Sequence, residues 1–286
     1  MKLLTFNTHS LIEGRGEEQV SVLSDAILRE EFDVIALQEV NQERNASVID
    51  SCKFENFTRC SEKIPVREGN FAYEVVRWLA LKGVHYHWCY LPVKIGYGRY
   101  DEGLAFLCRS PIVACECVQL SKRSKYDDWK TRKMLAIRCE EREDWFLNLH
   151  LGWWDDEEEP FFEQWGRLVP HLLGKDRYWL MGDMNAPAEV RGEGYDLLCE
   201  SGLFDAYEMA SRRRGRGTAR AKIDGWQGRP TEQDWLRIDQ IFCNRARYVV
   251  SYETMFDGTY YNAISDHLGV AVTVAETDGK EYECKG

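Results

Sequence analysis

Long apolar runs are missing from this 286-residue chain. The opening MKLLTFNTHS is apolar only from Leu3 to Phe6 before Asn7 intervenes, too short for the apolar region of a signal peptide. No later run approaches the ~18 residues that cross a bilayer. The expectation is a cytoplasmic protein with no membrane partner. Proline is scarce, at seven residues, and no Pro/Ser-rich linker, repeat or low-complexity tract interrupts the sequence. One domain over residues 1–286 follows. Basic residues are outnumbered, 37 against 48, for a net charge of −11. Duplex-DNA binders usually show the opposite sign, so no stable nucleic-acid complex is expected, although a local basic patch leaves that reading open.

Several catalytic signatures are absent as well. There is no GxSxG elbow, no GxxxxGK[ST] loop and no GxGxxG after a strand, and GRG at Gly14–Gly16 and Gly215–Gly217 is too short to count. Acyl transfer, P-loop chemistry and dinucleotide redox chemistry lose their usual supports. The ten cysteines are scattered, with no paired CxxC motifs that would build a zinc site. Cys108, Cys139 and Cys243 each close an apolar run and read as reduced, packed thiols.

What the sequence does contain is many short apolar runs. Strands are predicted at 2–7, 33–38, 85–91, 103–109, 112–119, 134–140, 144–151, 177–182, 237–243, 247–256 and 268–275. Three helical faces intervene, carrying Val20, Leu23 and Ile27; Phe71, Val75, Trp78 and Leu79; and Phe161, Trp165, Leu168 and Leu172. Pro160 fits a first helical turn, the acidic run Asp155–Glu159 suits the positive end of a helix dipole, and Pro170 weakens the third helix. Two packed sheets with outer helices are expected. Residues 41–69 and 211–235 lack periodicity and read as loops. The second holds the arginines of 211–217, either a functional lid or a solvated loop, and then Ile223–Trp226.

Six apolar runs end abruptly in polar residues: at Asn7, at Gln38 and Glu39, at Asn148 and His150, at Asp183 and Asn185, around Asp239, and at Ser265–His267 before LGVAVTV. One acid at a strand end is usually a turn residue. Six such events point to convergence on one edge of a sandwich. Carboxylates, amides and imidazoles in that number suit Mg²⁺, or Mn²⁺, better than zinc, and such a cation meets its substrate through phosphate oxygens. Phosphoester hydrolysis is the matching chemistry. Asp183 would orient or deprotonate water, Asn185 would fix geometry, and His150 or His267 would bind phosphoryl oxygens.

The ordered motifs FNTH (Phe6–His9), ALQEV (Ala36–Val40), NLH (Asn148–His150), GDMN (Gly182–Asn185), RIDQIF (Arg237–Phe242) and SDH (Ser265–His267) resemble the endonuclease/exonuclease/phosphatase superfamily. The resemblance implies a DNase I-like, four-layered α/β sandwich of two mixed sheets flanked by helices, with a divalent-metal phosphoesterase site at one end. It also implies that Asn7, Glu39 and Asp266 lie on the metal side, that Asp239 orients His267, and that Glu102 partners His150. His9 and NLH depart from the abasic-site nuclease pattern, and apolar segments typical of sphingomyelinase-like members are missing. NTHS, ALQEVNQ, HLGWW, the acidic run and IDGW are similar to an RgfB-like and maltose-6'-phosphate phosphatase-like bacterial subgroup. A small phosphorylated substrate, a sugar phosphate, is therefore expected, with a metal-dependent nuclease or other phosphodiesterase as the alternative. Trp153, Trp154 and Trp226 are candidates to pack on a sugar ring, and Arg132 with Lys133 to neutralise a phosphate.

Overall fold

The computed structural model describes residues 1–275 apart from 13, 61–63, 141, 221, 224 and 227–233. Fifteen strands and five α-helices form among the described residues and are numbered here along the chain. One mixed sheet has seven strands in the order β10 (Arg212–Arg214), β14 (Val249–Met255), β15 (Gly269–Val274), β1 (Lys2–Asn7), β2 (Val34–Glu43), β4 (Tyr100–Cys108), β3 (His87–Gly96). A second runs β5 (Ile112–Gln119), β6 (Lys133–Cys139), β7 (Trp145–His150), β8 (Tyr178–Asp183), β13 (Asp239–Cys243), β9 (Phe204–Asp205). A small ladder joins β11 (Ala219–Arg220) to β12 (Trp235–Leu236).

Three apolar layers hold these elements in four tiers, because central strands buried on both faces are apolar on both. Between the sheets pack Val34, Ala36, Phe106, Leu135, Phe146, Met181, Ile241 and Val272. On the outer face of the first sheet, α1 (Gly16–Glu30) and α2 (Phe71–Leu81) set Leu23, Ile27, Phe71, Val75 and Leu79 against Leu4, Phe6, Ile35 and Leu107. On the outer face of the second, α3 (Phe161–Leu172) and α4 (Gly194–Glu200) place Trp165, Leu168, Tyr195 and Leu198 on Leu147, Leu149, Leu180 and Phe242. The short α5 (Ala206–Met209) closes the core near β13. No described helix is long and apolar enough to cross a membrane.

Three local expectations change. Part of the arginine-rich stretch is not a loop: 212–214 form edge strand β10, parallel to β14, and Arg214 pairs with Glu253, while 215–217 stay irregular with Arg216 exposed. Pro170 lies inside α3, in its exposed last turn. Residue 166, whose carbonyl the ring would crowd, is a glycine on the solvent side. The acidic run does more than complement a dipole. Glu159 accepts from the Lys122 and Arg123 backbone amides, and Asp156 holds Lys130, so this segment fastens loop 120–131 to the start of α3. Cys108, Cys139 and Cys243 are free and buried, as expected.

Gly182 sits where β7 and β8 pair, opposite Leu149 and with φ +147°. A Cβ there would lie 1.9 Å from the Leu149 carbonyl oxygen, backbone that cannot swing away. Gly182→Ala is expected to destabilise the fold by about 1–3 kcal/mol through the conformational penalty alone, with more from the clash. Thermal unfolding of the two proteins would measure this, and an unchanged Tm would contradict it.

Candidate active site

Adjacent strands deliver the polar side chains to one end of the sandwich. Parallel pairing of β1 with β2 sets Asn7 beside Gln38, and parallel pairing of β7 with β8 sets His150 beside Asp183. Antiparallel β13 starts at Asp239, directly across from Asp183. His267 enters from the other sheet and bridges to Ala219. Glu39 arrives by a β-bulge. Between the pairs Leu37–Ala105 and Val40–Gly103, two residues of β2 oppose one of β4, and Glu39 takes φ +49°. A bulge re-aims a side chain in this way, at a conformational cost for a non-glycine residue.

At the centre, Asn7 Nδ2 donates to Glu39 Oε1 at 3.0 Å and to Asp183 Oδ2 at 3.2 Å. Asp183 Oδ1 accepts the Asn185 amide at 2.9 Å. His267 Nδ1 lies 2.8 Å from Asp239 Oδ2, with its Nε2 3.8 Å from Asp183 Oδ2, and His150 Nε2 lies 3.7 Å from the same oxygen. Asp266 pairs with His9 at 3.4 Å, and the His9 Nε2 lies 3.0 Å from the Tyr97 hydroxyl.

Burial and crowding set the protonation states. Burial, followed by the negative charge of Asp239, pushes Asp183 up to about 7. Glu39 is raised by burial and by Glu102. Burial disfavours a charged His267, but Asp239, Asp183 and Asp266 outweigh it and hold the imidazolium well above its ordinary range. His150 goes the other way: burial and the charges of Arg132, Lys94 and His267 keep it well below. His267 is therefore charged and His150 neutral at neutral pH.

A cationic wall faces these carboxylates. Lys94 Nζ is 3.1 Å from Glu102 Oε1 and donates to the Trp129 carbonyl at 3.0 Å. Arg132 is 4% exposed and donates to the Trp129 and Thr131 carbonyls, while its Nε is buried without a hydrogen-bond partner. Among the described residues no carboxylate comes within ion-pair distance of that guanidinium, and burial lowers its affinity for protons. Lys94, Glu102, Arg132 and His150 line one small pocket. Trp129 is 54% exposed, and its indole lies 6.1 Å from that of Trp153.

The structure thus gathers Asn7, Glu39, Asp183, Asp239, His150 and His267, keeps Asn185 on the Asp183 turn, and places Asp266 at the edge through His9. It corrects several expectations. Glu102 pairs with Lys94, not with His150, because the shifted β3–β4 register sets Lys94 opposite Glu102. Trp226 is buried and donates to Asn185 Oδ1 at 2.9 Å, so it orients a site residue and offers no open ring face. Trp154 packs on Phe161 and Phe162. Asn148 bonds the Leu37 and Ala105 carbonyls and Gln38, pinning one sheet to the other. Lys133 reaches the Pro92 carbonyl. Sequence reading missed Lys94, Trp129 and His9. Only His9 carried a signal, two residues past a strand-end asparagine.

Hard oxygen donors from Asn7, Glu39 and Asp266 could hold a cation. So could the group Asp183, Asp239 and His267, whose ligand atoms lie within 4.8 Å of one another. The profile of the Endonuclease/Exonuclease/phosphatase family matches residues 4–267. Among solved structures, an endonuclease/exonuclease/phosphatase family protein from Leptotrichia buccalis superposes with TM-score 0.82 at 27% identity, covering 96% of this chain and 100% of that one. A mannosyl-6-phosphatase from Bacteroides thetaiotaomicron gives TM-score 0.61 at 19% identity over 96% and 100% of the two chains. The 3' phosphatase NExo from Neisseria, bound to a product DNA hairpin, gives 0.60 at 17% over 96% and 100%. No curated protein sequence matches this chain.

Proposed function

The chain belongs to the Endonuclease/Exonuclease/phosphatase family, and from that premise we propose that it is a Mg²⁺-dependent phosphatase that removes the phosphoryl group of a phosphorylated sugar. The observation that carries this reading is the buried Arg132, which has no carboxylate partner among the described residues and stands beside Lys94 and His150. A guanidinium is costly to bury uncompensated. A phosphomonoester dianion, with three free oxygens, offers the charge and acceptors that this wall lacks. Beside it, the Trp129–Trp153 pair offers aromatic faces to a sugar ring, and Trp129 anchors both cations through its own carbonyl. The fold is shared with a mannosyl-6-phosphatase, and the net charge of −11 disfavours a polyanionic substrate.

The residues fit a hard cation. The donors that Asn7, Glu39 and Asp266 bring together are carboxylate and amide oxygens, the hard ligands such an ion prefers. Asn7, Glu39 and Asp266 would hold Mg²⁺, which when bound would draw charge from the phosphoryl oxygens. Asp183 accepts the proton of the attacking water, with Asn185, steadied by Trp226, fixing its turn; as the new bond to phosphorus forms, the bond from phosphorus to the sugar oxygen breaks and that oxygen takes a proton from solvent. The charged His267, oriented by Asp239, donates to a phosphoryl oxygen. Neutral His150, Lys94 and Arg132 grip the remaining oxygens.

A panel of sugar phosphates, a phosphodiester and DNA would test this, each assayed with Mg²⁺ and then with chelator. Phosphate release from sugar monoesters, lost with chelator, is expected. Cleavage of DNA or the diester without release from any monoester would overturn the reading.

A pH dependence follows for metal-free protein. Folded Asp183 titrates at about 7, above its ordinary value of 3.8, so the folded state binds more protons between those limits. Its contribution therefore lowers stability as pH rises from about 4 to about 7. Mg²⁺ would relieve the ionised form, so it is expected to raise Tm more at about pH 8 than at about pH 5. Equal shifts in a thermal melt would contradict this.

A further inference from the structure

Three cysteines separated in sequence meet at an edge of the sandwich away from the carboxylates. Cys115 and Cys117 are two residues apart on β5, so they project from the same face of this edge strand. Cys60 comes from the segment between β2 and α2 and forms a disulfide with Cys115. The Cys117 Sγ lies 3.3 Å from the Cys60 carbonyl oxygen, and the three sulfurs lie within 4.8 Å of one another. Strand β5 is three positions from β8, which by strand spacing alone sets the cluster more than about 14 Å from Asp183. Cys117 is exposed, so the cluster is open to solvent.

We propose that the reduced Cys60–Cys115–Cys117 cluster binds one thiophilic cation of the Zn²⁺ class, and that the Cys60–Cys115 disulfide is its oxidised, metal-free form. Soft thiolates select zinc or copper(I) over magnesium, so this site and the oxygen-rich one would not compete for the same ion. Tetrahedral zinc with bonds of about 2.3 Å needs sulfurs roughly 3.8 Å apart, so once the disulfide is reduced the Cys60 and Cys115 sulfurs would separate to that spacing, while Cys117 already lies within 4.8 Å of both. Water would fill the fourth position. Opening the site takes two electrons: an external dithiol reduces the Cys60–Cys115 bond to two thiols and becomes a disulfide itself. The entering cation then displaces three thiol protons into solvent. Binding releases thiol protons, so it should tighten as pH rises. Either state fastens the Cys60 segment to the sheet edge, one by a covalent bond and the other by a metal.

Cobalt titration of the full chain, held in excess Mg²⁺, tests this. After dithiol reduction and removal of the reductant, one equivalent of Co²⁺ is expected to give thiolate-to-cobalt charge-transfer absorption and the visible bands of tetrahedral cobalt. One equivalent of Zn²⁺ should bleach them, and the oxidised protein should not develop them. Cys117→Ser, at an exposed position, should weaken binding at least tenfold, while Cys199→Ser leaves it unchanged. A reduced protein without charge-transfer absorption would overturn the proposal. So would absorption that survives both Cys117→Ser and Cys115→Ser at full strength.

Discussion

Asp183→Asn is expected to slow phosphate release by about 10²–10⁴-fold, the range lost with a positioned general base. The variant keeps the size of the side chain but cannot accept the proton of water. It also disturbs the local bonding: one Asp183 oxygen accepts from Asn7 and the other from the Asn185 amide, so an Asn donor at either place faces another donor. Burial and Asp239 already hold this carboxyl up at about 7 in metal-free protein, so below that pH the loss of its charge should not itself change stability, and the melt reports the disturbed bonding. Steady-state kinetics beside a thermal melt separate the two effects. A kcat within threefold of the parent would remove Asp183 from the proton-accepting role.

Asp239→Asn should have a comparably large effect, with a different signature. Its carboxylate lies 2.8 Å from His267 Nδ1 and is the foremost group favouring the charged imidazole, against burial. Without it, the pKa of His267 falls, so the protonated form needed to donate to phosphate survives only at lower pH. The variant is expected to lose about 10²-fold or more in kcat at neutral pH, with the alkaline limb of its pH–rate profile displaced toward acid. An unshifted profile would mean that Asp239 acts only as a structural support.

Strand periodicity made the two sheets and three main helices legible, because apolar runs bounded by polar residues record which segments are buried on both faces. The short pieces α4, α5 and β9–β12 were not, being two to seven residues long with too few side chains to show a period. Asn7, Glu39, Asp183, Asp239 and His267 could be found because each interrupts an apolar run at its end. Lys94 and Trp129 could not. Lys94 stands within β3 and Trp129 in a loop, and only the register against β4 and the anchoring of loop 120–131 by Glu159 bring them to the site. Trp226 was visible as an aromatic beside a motif, but its N–H bond to Asn185 depends on a fold that spacing does not encode. The cysteine cluster was hidden for the same reason, since 55 residues separate Cys60 from Cys115.

In the proposed mechanism a divalent cation sits on Asn7, Glu39 and Asp266 while the phosphomonoester sits on the neighbouring Arg132 and Lys94. A crystal structure of the Asp183→Asn protein, grown with Mn²⁺ and a sugar 6-phosphate and recorded at the manganese edge, tests it most directly. An anomalous peak is expected at Asn7, Glu39 and Asp266, with phosphoryl oxygens on Arg132, Lys94 and His267 and the sugar ring against Trp129 and Trp153. Manganese elsewhere, or a phosphate seated away from Arg132 and Lys94, would contradict it.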